Sequence, residues 1–164
     1  GNPSYFLTIN STIWGPLHPE PFLGQPVAIC WLAHDPQAFN CRILDLETIE
    51  TTEEALASLP LIRLPTLNFM VADKEGRIGW GIVGGIPKRE GYDSSIPVSL
   101  KEGSKQWNGI RSSNEAFSLI DPPSGALWTA NSRVVGDSSL GIDFVNGIRA
   151  FQIKKKLLSN DKHS

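Results

Sequence analysis

The chain has 164 residues, 40% apolar and 20% charged, a globular composition far from that of disordered proteins. Its 15 Lys and Arg against 17 Asp and Glu leave a net charge of −2, which argues against a nucleic-acid partner, because a polyphosphate calls for a cationic surface. No apolar run has the length of a membrane span, the first residues GNPSYF do not read as a signal peptide, and two cysteines, Cys30 and Cys41, are too few for a disulfide scaffold or zinc cluster.

A chain of this size buries roughly 70% of the surface it exposes when open, enough for one domain with a real core. With 15 Gly and 12 Pro, short strands and long ordered loops fit better than a helical bundle. Residues 4–10 (SYFLTIN) predict a strand with Tyr5, Leu7 and Ile9 on one side. A second strand starts near Thr12 and stops at GPLHPEP, whose three prolines forbid a regular ladder. The apolar run in residues 26–33 (PVAICWLA) predicts a strand covered on both faces. Asp35 before Pro36 predicts the start of a short helix over residues 37–46. Thr51 and Glu54 have the spacing of a capping box, opening a second helix that ends at Pro60.

TLNFMVAD, a turn at KEGR and IGWGIVGG give the clearest hairpin signal, and the first of its strands, apolar on both sides, is expected inside the sheet. Residues 87–123 read mostly as loop, a long structureless stretch for a compact domain. Residues 125–131 (GALWTAN) predict a further strand. The last segment predicts an amphipathic helix with Phe144, Ile148 and Phe151 on one face and Lys154 to Lys156 near its C-terminus, where the dipole favours cations.

Few motifs carry chemistry. Gly79 to Gly84 matches the GxGxxG pattern of dinucleotide sites, but no helical period follows it, so glycines in a crowded strand are the better account. The three histidines, His18, His34 and His163, have no ligand-spaced partners, which argues against a histidine-based metal site. The triplet Asn10-Ser11-Thr12 is a glycosylation sequon of a kind common by chance. Cys30 and Cys41 read most simply as buried thiols, with a disulfide as the alternative. In residues 121–137 (DPPSGALWTANSRVVGD) the prolines and Gly125 set a turn, a short apolar strand follows, and Asn131 lands at its end. An Asn there can aim its amide N–H into a cleft and build half of an oxyanion hole. The plainer alternative is a turn Asn satisfying its own backbone.

This last segment resembles the NPPSGFIVTANNR-type hallmark of the penicillin acylase (penicillin amidase) family. TLNFMVADKEGRIGWGIVGGIPKREGYDSSIPV is similar to that family's NF-x-x-AD-x-x-G-x-IG(Y/W) stretch and the G-x-(I/Y)P-x-R-x-G that follows it. STIWGPLH resembles its strand ending in GP, with Trp14 where His is common, and VAICWLAHDP its strand ending in DP. NGIRAFQI is similar to its arginine-bearing helix. The matches keep the family's order from about Ser11 to Ile153.

The resemblance implies an α+β fold, a largely antiparallel sheet with few helices, as part of the αββα sandwich of N-terminal-nucleophile hydrolases. It implies hydrolysis of an amide between a hydrophobic acyl group and an amine, as in acylases of penicillins, cephalosporins and acyl-homoserine lactones. Asn131 would stabilise the oxyanion and Arg149 orient the site. The resemblance places the family nucleophile, a serine exposed by self-cleavage, well before this segment, and the chain begins at Gly1 rather than at such a serine. The piece is therefore expected to be an inactive internal part of a β-chain, completed by other α- and β-chain segments. No cofactor is required. A structural Ca2+ is implied by the family but unassigned, with Asp137 or Asp143 as remnant ligands. The resemblance is compatible with a periplasmic or extracellular setting. A non-catalytic binding or structural domain on the same scaffold is the alternative function.

Overall fold

The computed structural model describes residues 4–92, 96–99, 107–111, 118–133, 140–141 and 144–159. Seven strands and two α-helices form among them: β1 (Ser11–Thr12), β2 (Gly15–Pro16), α1 (Thr52–Ser58), β3 (Leu67–Ala72), β4 (Ile78–Val83), β5 (Ile86–Arg89), β6 (Trp107–Arg111), β7 (Ser118–Ile120) and α2 (Ile148–Leu158). All the strand pairs are antiparallel, in the orders β1-β2, β3-β4-β7 and β5-β6.

The unit around β4 follows directly from its sequence. Thr51 caps α1, its hydroxyl oxygen accepting the Glu54 N–H at 3.2 Å. Glu54 reaches back one residue further than in a standard capping box, to the Glu50 N–H at 3.4 Å. Pro60 cannot donate to the helix ladder, and α1 tightens into a 3₁₀ turn over Leu59–Leu61. Thr52, Ala55, Leu56 and Leu59 fall on one face of the helix and are buried. Leu56, Leu59, Ile62 and Val83 form a core to which Leu46, Leu64, Phe69, Val71 and Ile120 contribute. The opposite face of β4 builds a second core, in which Trp80, Ile82 and Ile86 pack with Leu127 and Leu140. The glycines of the GxGxxG pattern lie in and just after β4, and Gly79 shows why. A Cβ there would come within 2.6 Å of Thr52 Cγ2 and 3.0 Å of Leu56 Cδ1, so the glycine lets α1 lie close on the strand.

The β3–β4 turn is closed by Asp73, whose Oδ1 accepts the N–H groups of Glu75 (3.1 Å) and Arg77 (3.0 Å), while Gly76 takes a φ of +81°. The hairpin is thus as expected, but its place in the sheet is not. β4 is central, and β3 lies at the edge of the described sheet. The pattern misleads because β3 is apolar on both sides, yet Leu67 and Met70 stay exposed and only Phe69 and Val71 turn to the core.

Other expectations are corrected. Residues 4–10 form no strand, and Tyr5, Phe6, Leu7 and Ile9 face outward. Residues 26–33 form no strand either. They make one isolated bridge, Ala28 to Leu17, and enter a 3₁₀ turn over Leu32–His34; Leu32 is buried, while Ile29 and Trp31 are exposed. The helix expected over residues 37–46 is two 3₁₀ segments, Pro36–Ala38 and Cys41–Thr48, begun by Asp35 and Asn40, whose side chains accept from Gln37 N and Arg42 N. The stretch expected to be loop from residue 87 holds most of β5 and all of β6 and β7. β5 pairs with β6 across a bulge between Pro87 and Arg89, where proline breaks the ladder. Residues 125–131 carry no ladder. Cys30 and Cys41 are free and exposed rather than buried.

Candidate functional site

Asn131 sits in a tight turn. The Ser132 N–H donates to the Thr129 carbonyl at 3.0 Å, and the Ser132 hydroxyl donates to the same oxygen at 2.7 Å. Ala130 (φ +49°) and Asn131 (φ +56°) are both left-handed, the signature of a type I′ turn. Asn tolerates this conformation, but Ala is strained in it, and strained backbone persists only where its surroundings hold it.

Those surroundings come from α2 and the residues before it. Arg149, in the first turn of α2, donates from Nη2 to the Ala130 carbonyl at 2.8 Å. The Val145 N–H donates to the Asn131 carbonyl at 2.9 Å, and Ser132 and Val145 form a parallel bridge. Lys154 places Nζ 5.2 Å from the centre of the Trp128 ring, and Arg133 lies 4.5 Å over Phe144. α2 thus holds the Asn131 segment through cations and backbone more than through apolar burial. Ala150 is its buried residue, while Ile148 and Phe151, expected on the packing face, are 67% and 61% exposed. Lys155 and Lys156 occupy the last turn, as expected.

The two residues singled out in the sequence are therefore brought together, through the peptide between Ala130 and Asn131. The Asn131 side chain is exposed, and its amide has no hydrogen-bond partner among the described residues. Left-handed backbone alone favours Asn here; an amide not spent on its own turn is what leaves it free to act on a ligand.

The penicillin amidase family model matches residues 1–164. The chain belongs to this family. It is 35% identical over 91 residues to the acyl-homoserine lactone acylase QuiP of Pseudomonas aeruginosa, covering 56% of this chain and 11% of that protein. It is 31% identical over 96 residues to the penicillin acylase 2 proenzyme of a Pseudomonas species, covering 57% of this chain and 12% of that one. The chain thus spans only 11–12% of the length of these relatives. A thermostable penicillin G acylase from Alcaligenes faecalis superposes with a TM-score of 0.73 at 22% identity, over 96% of this chain and 29% of the acylase chain. The fold, antiparallel α+β with few helices, is that of penicillin acylase.

Other candidates do not join Asn131. A cavity of about 590 Å³ lies between residues 32–38 and the β5–β6 hairpin, lined by Leu32, Ile62, Trp107 and Ile110 among others, and neither Asn131 nor Arg149 reaches it. His18 bonds to its own loop at Glu20, and His34 packs edge-on against Trp31. His163, Asp137 and Asp143 lie outside the described residues. Among the described residues no three His, Cys, Asp or Glu side chains gather into a metal-holding group. Desolvation pushes the Cys30 thiol up, against a smaller opposing pull from Arg89, away from the thiolate a nucleophile needs.

Sequence reasoning missed one cluster. Arg77 pairs with Glu53 of α1 and donates from Nε to Asp121 Oδ2 at 3.0 Å, while Asp73 and Asp121 bind backbone N–H groups around it. Its members are scattered from residue 53 to residue 121, so no local spacing announces it.

Proposed function

We propose that this chain is one unit of an amidohydrolase that cleaves the amide between a hydrophobic acyl group and an amine. The penicillin, cephalosporin and acyl-homoserine lactone acylases define its substrate class. The Asn131 amide N–H stabilises the oxyanion of the tetrahedral intermediate. Arg149 acts one step removed, fixing the Ala130 carbonyl and with it the left-handed turn that aims Asn131. The observation that carries this reading is the 2.8 Å bond from Arg149 to Ala130 beside an Asn131 amide that has no hydrogen-bond partner among the described residues.

The nucleophile is an N-terminal serine outside these residues, with its own α-amine, which titrates near about 7.7–8.0, as the base. Ser132, the hydroxyl next to Asn131, is spent on the Thr129 carbonyl and does not compete for that role. The remaining α- and β-chain segments of the parent are the partners, and they cover apolar side chains such as Phe6 and Phe151 that this chain leaves open. The reaction asks nothing of a cofactor.

Two measurements test the reading. In the full-length protein that carries this sequence, Asn131→Ala slows turnover of an acyl-anilide by roughly 10²–10³-fold, the usual cost of one oxyanion donor. An unchanged rate makes the chain a binding or structural domain on an acylase scaffold instead. The pure 164-residue chain hydrolyses no phenylacetyl-anilide; measurable turnover by it relocates the nucleophile into this sequence.

A further inference from the structure

Asn131 is reached along a path that starts at Asp121, and the start is fixed from three sides. Asp121 leaves β7 with φ +44°, a left-handed conformation uncommon outside glycine. Its N–H donates to the Ile78 carbonyl at 2.9 Å, its Oδ1 accepts the Ile78 N–H at 3.0 Å, and its Oδ2 accepts Arg77 Nε at 3.0 Å. Arg77 is itself tied down. Its guanidinium also pairs with Glu53 in the first turn of α1, its N–H donates to Asp73 Oδ1 at 3.0 Å, and its carbonyl accepts the Thr52 hydroxyl at 3.2 Å. One arginine thereby joins the start of α1, the β3–β4 turn and the exit of β7.

Exposed ion pairs of this kind contribute little stability. Their value here is directional. A left-handed residue turns the chain sharply, and relaxing Asp121 to a negative φ would redirect everything after it. Beyond Asp121, Pro122 and Pro123 have fixed φ, Gly125 N closes on the Pro122 carbonyl at 2.8 Å, and Leu127 is seated against the core of Trp80, Ile82 and Ile86. Little freedom is left between this anchor and the Asn131 turn.

The geometry points to Arg77 and Asp121 as positioning residues that set the path of residues 122–131 and hence the place of the Asn131 amide. This rests on the oxyanion reading of Asn131. Arg77 and Asp121 act through that amide alone.

The test is a double-mutant cycle in the full-length protein, reading kcat and KM for an acyl-anilide. Asp121→Ala is expected to lower kcat by roughly 10–100-fold with KM little changed, the scale of a misplaced catalytic group. In an Asn131→Ala background it should cause no further loss, because the group it places is gone. Asp121→Asn keeps an oxygen for the Ile78 N–H and tolerates the left-handed backbone, so it should restore most of the rate. Should Asp121→Ala fail to fold, Arg77→Gln runs the same cycle, with a loss seen only when Asn131 is present. An equal loss in both backgrounds, or an unaffected kcat beside a slow Asn131→Ala, overturns the positioning role alone. An Asn131→Ala protein with wild-type kcat overturns the oxyanion reading first, and the positioning role with it.

Discussion

The unit of α1, β3, β4 and β7 and the stretch from residue 4 to residue 31 both carry large apolar side chains and dispose of them in opposite ways. In the first, Leu56, Leu59, Ile62 and Val83 are buried, under a helix whose cap, first-turn acids and stop are all written locally. In the second, Phe6 is 98% exposed and Tyr5 90%, and the ladder is two residues long on each side. The difference teaches that an apolar pattern specifies a face, whereas burial also needs a partner within reach. α1 and β4 are partners close in sequence. Residues 4–10 have none among the described residues, and in residues 26–33 Leu32 is buried while Ile29 and Trp31 stay exposed.

The largest effect that would break this contrast lies in the packed unit. Leu59→Ala should cost about 2–5 kcal/mol, the range for truncating a well-packed Leu, because its neighbours Leu56, Ile62 and Val83 cannot all collapse into the space. Urea unfolding measures it, and a loss near zero would mean the core is looser than its burial suggests. Next is Gly79→Ala. The added methyl meets Thr52 and Leu56 and should cost about 1–3 kcal/mol by overpacking. A neutral result would show that α1 can lift off β4 without penalty.

What the sequence made legible follows the same division. Thr51 with Glu54, and TLNFMVAD, KEGR and IGWGIVGG in succession, are local signals, and each produced its element. The link between the Asn131 turn and Arg149 became legible through family resemblance rather than through spacing, since a contact 19 residues apart leaves no periodic trace. The edge position of β3 depends on β7 pairing with β4 from about 40 residues away. Arg77, which joins Glu53 to Asp121, was invisible for the same reason: its partners converge only once the sheet has formed.

Acid gives a smaller and more distributed test of that cluster. The Asp121 carboxyl is held below its ordinary range by the Ile78 N–H first and by Arg77 after it. At Asp73 desolvation pushes upward, but hydrogen bonds from Thr52, Arg77 and Glu75 together outweigh it and the net displacement is downward. Carboxyls lowered on folding stabilise the folded chain fully above their unfolded pKa, near about 3.9, and that stability is lost as pH falls through the lower folded values. Stability should therefore decline below about pH 4, and the decline should be shallower in an Asp73→Asn, Asp121→Asn double variant. An identical acid profile would remove both carboxylates from the account.

The smallest expected effect bears on the other region. Phe6 has almost its whole side chain in solvent, so Phe6→Ala removes no burial in this chain and should change its stability by no more than about 0.5 kcal/mol. The contrast with Leu59→Ala is the point: two large apolar residues, one truncation, and a difference set by partners alone. The same substitution in the full-length protein asks whether a partner arrives from elsewhere. A cost there of about 2 kcal/mol or more, beside none in the 164-residue chain, would mean that Phe6 is buried by another segment of the parent. A null effect in both would leave residues 4–10 an exposed arm and remove the reason to assign them a packing role.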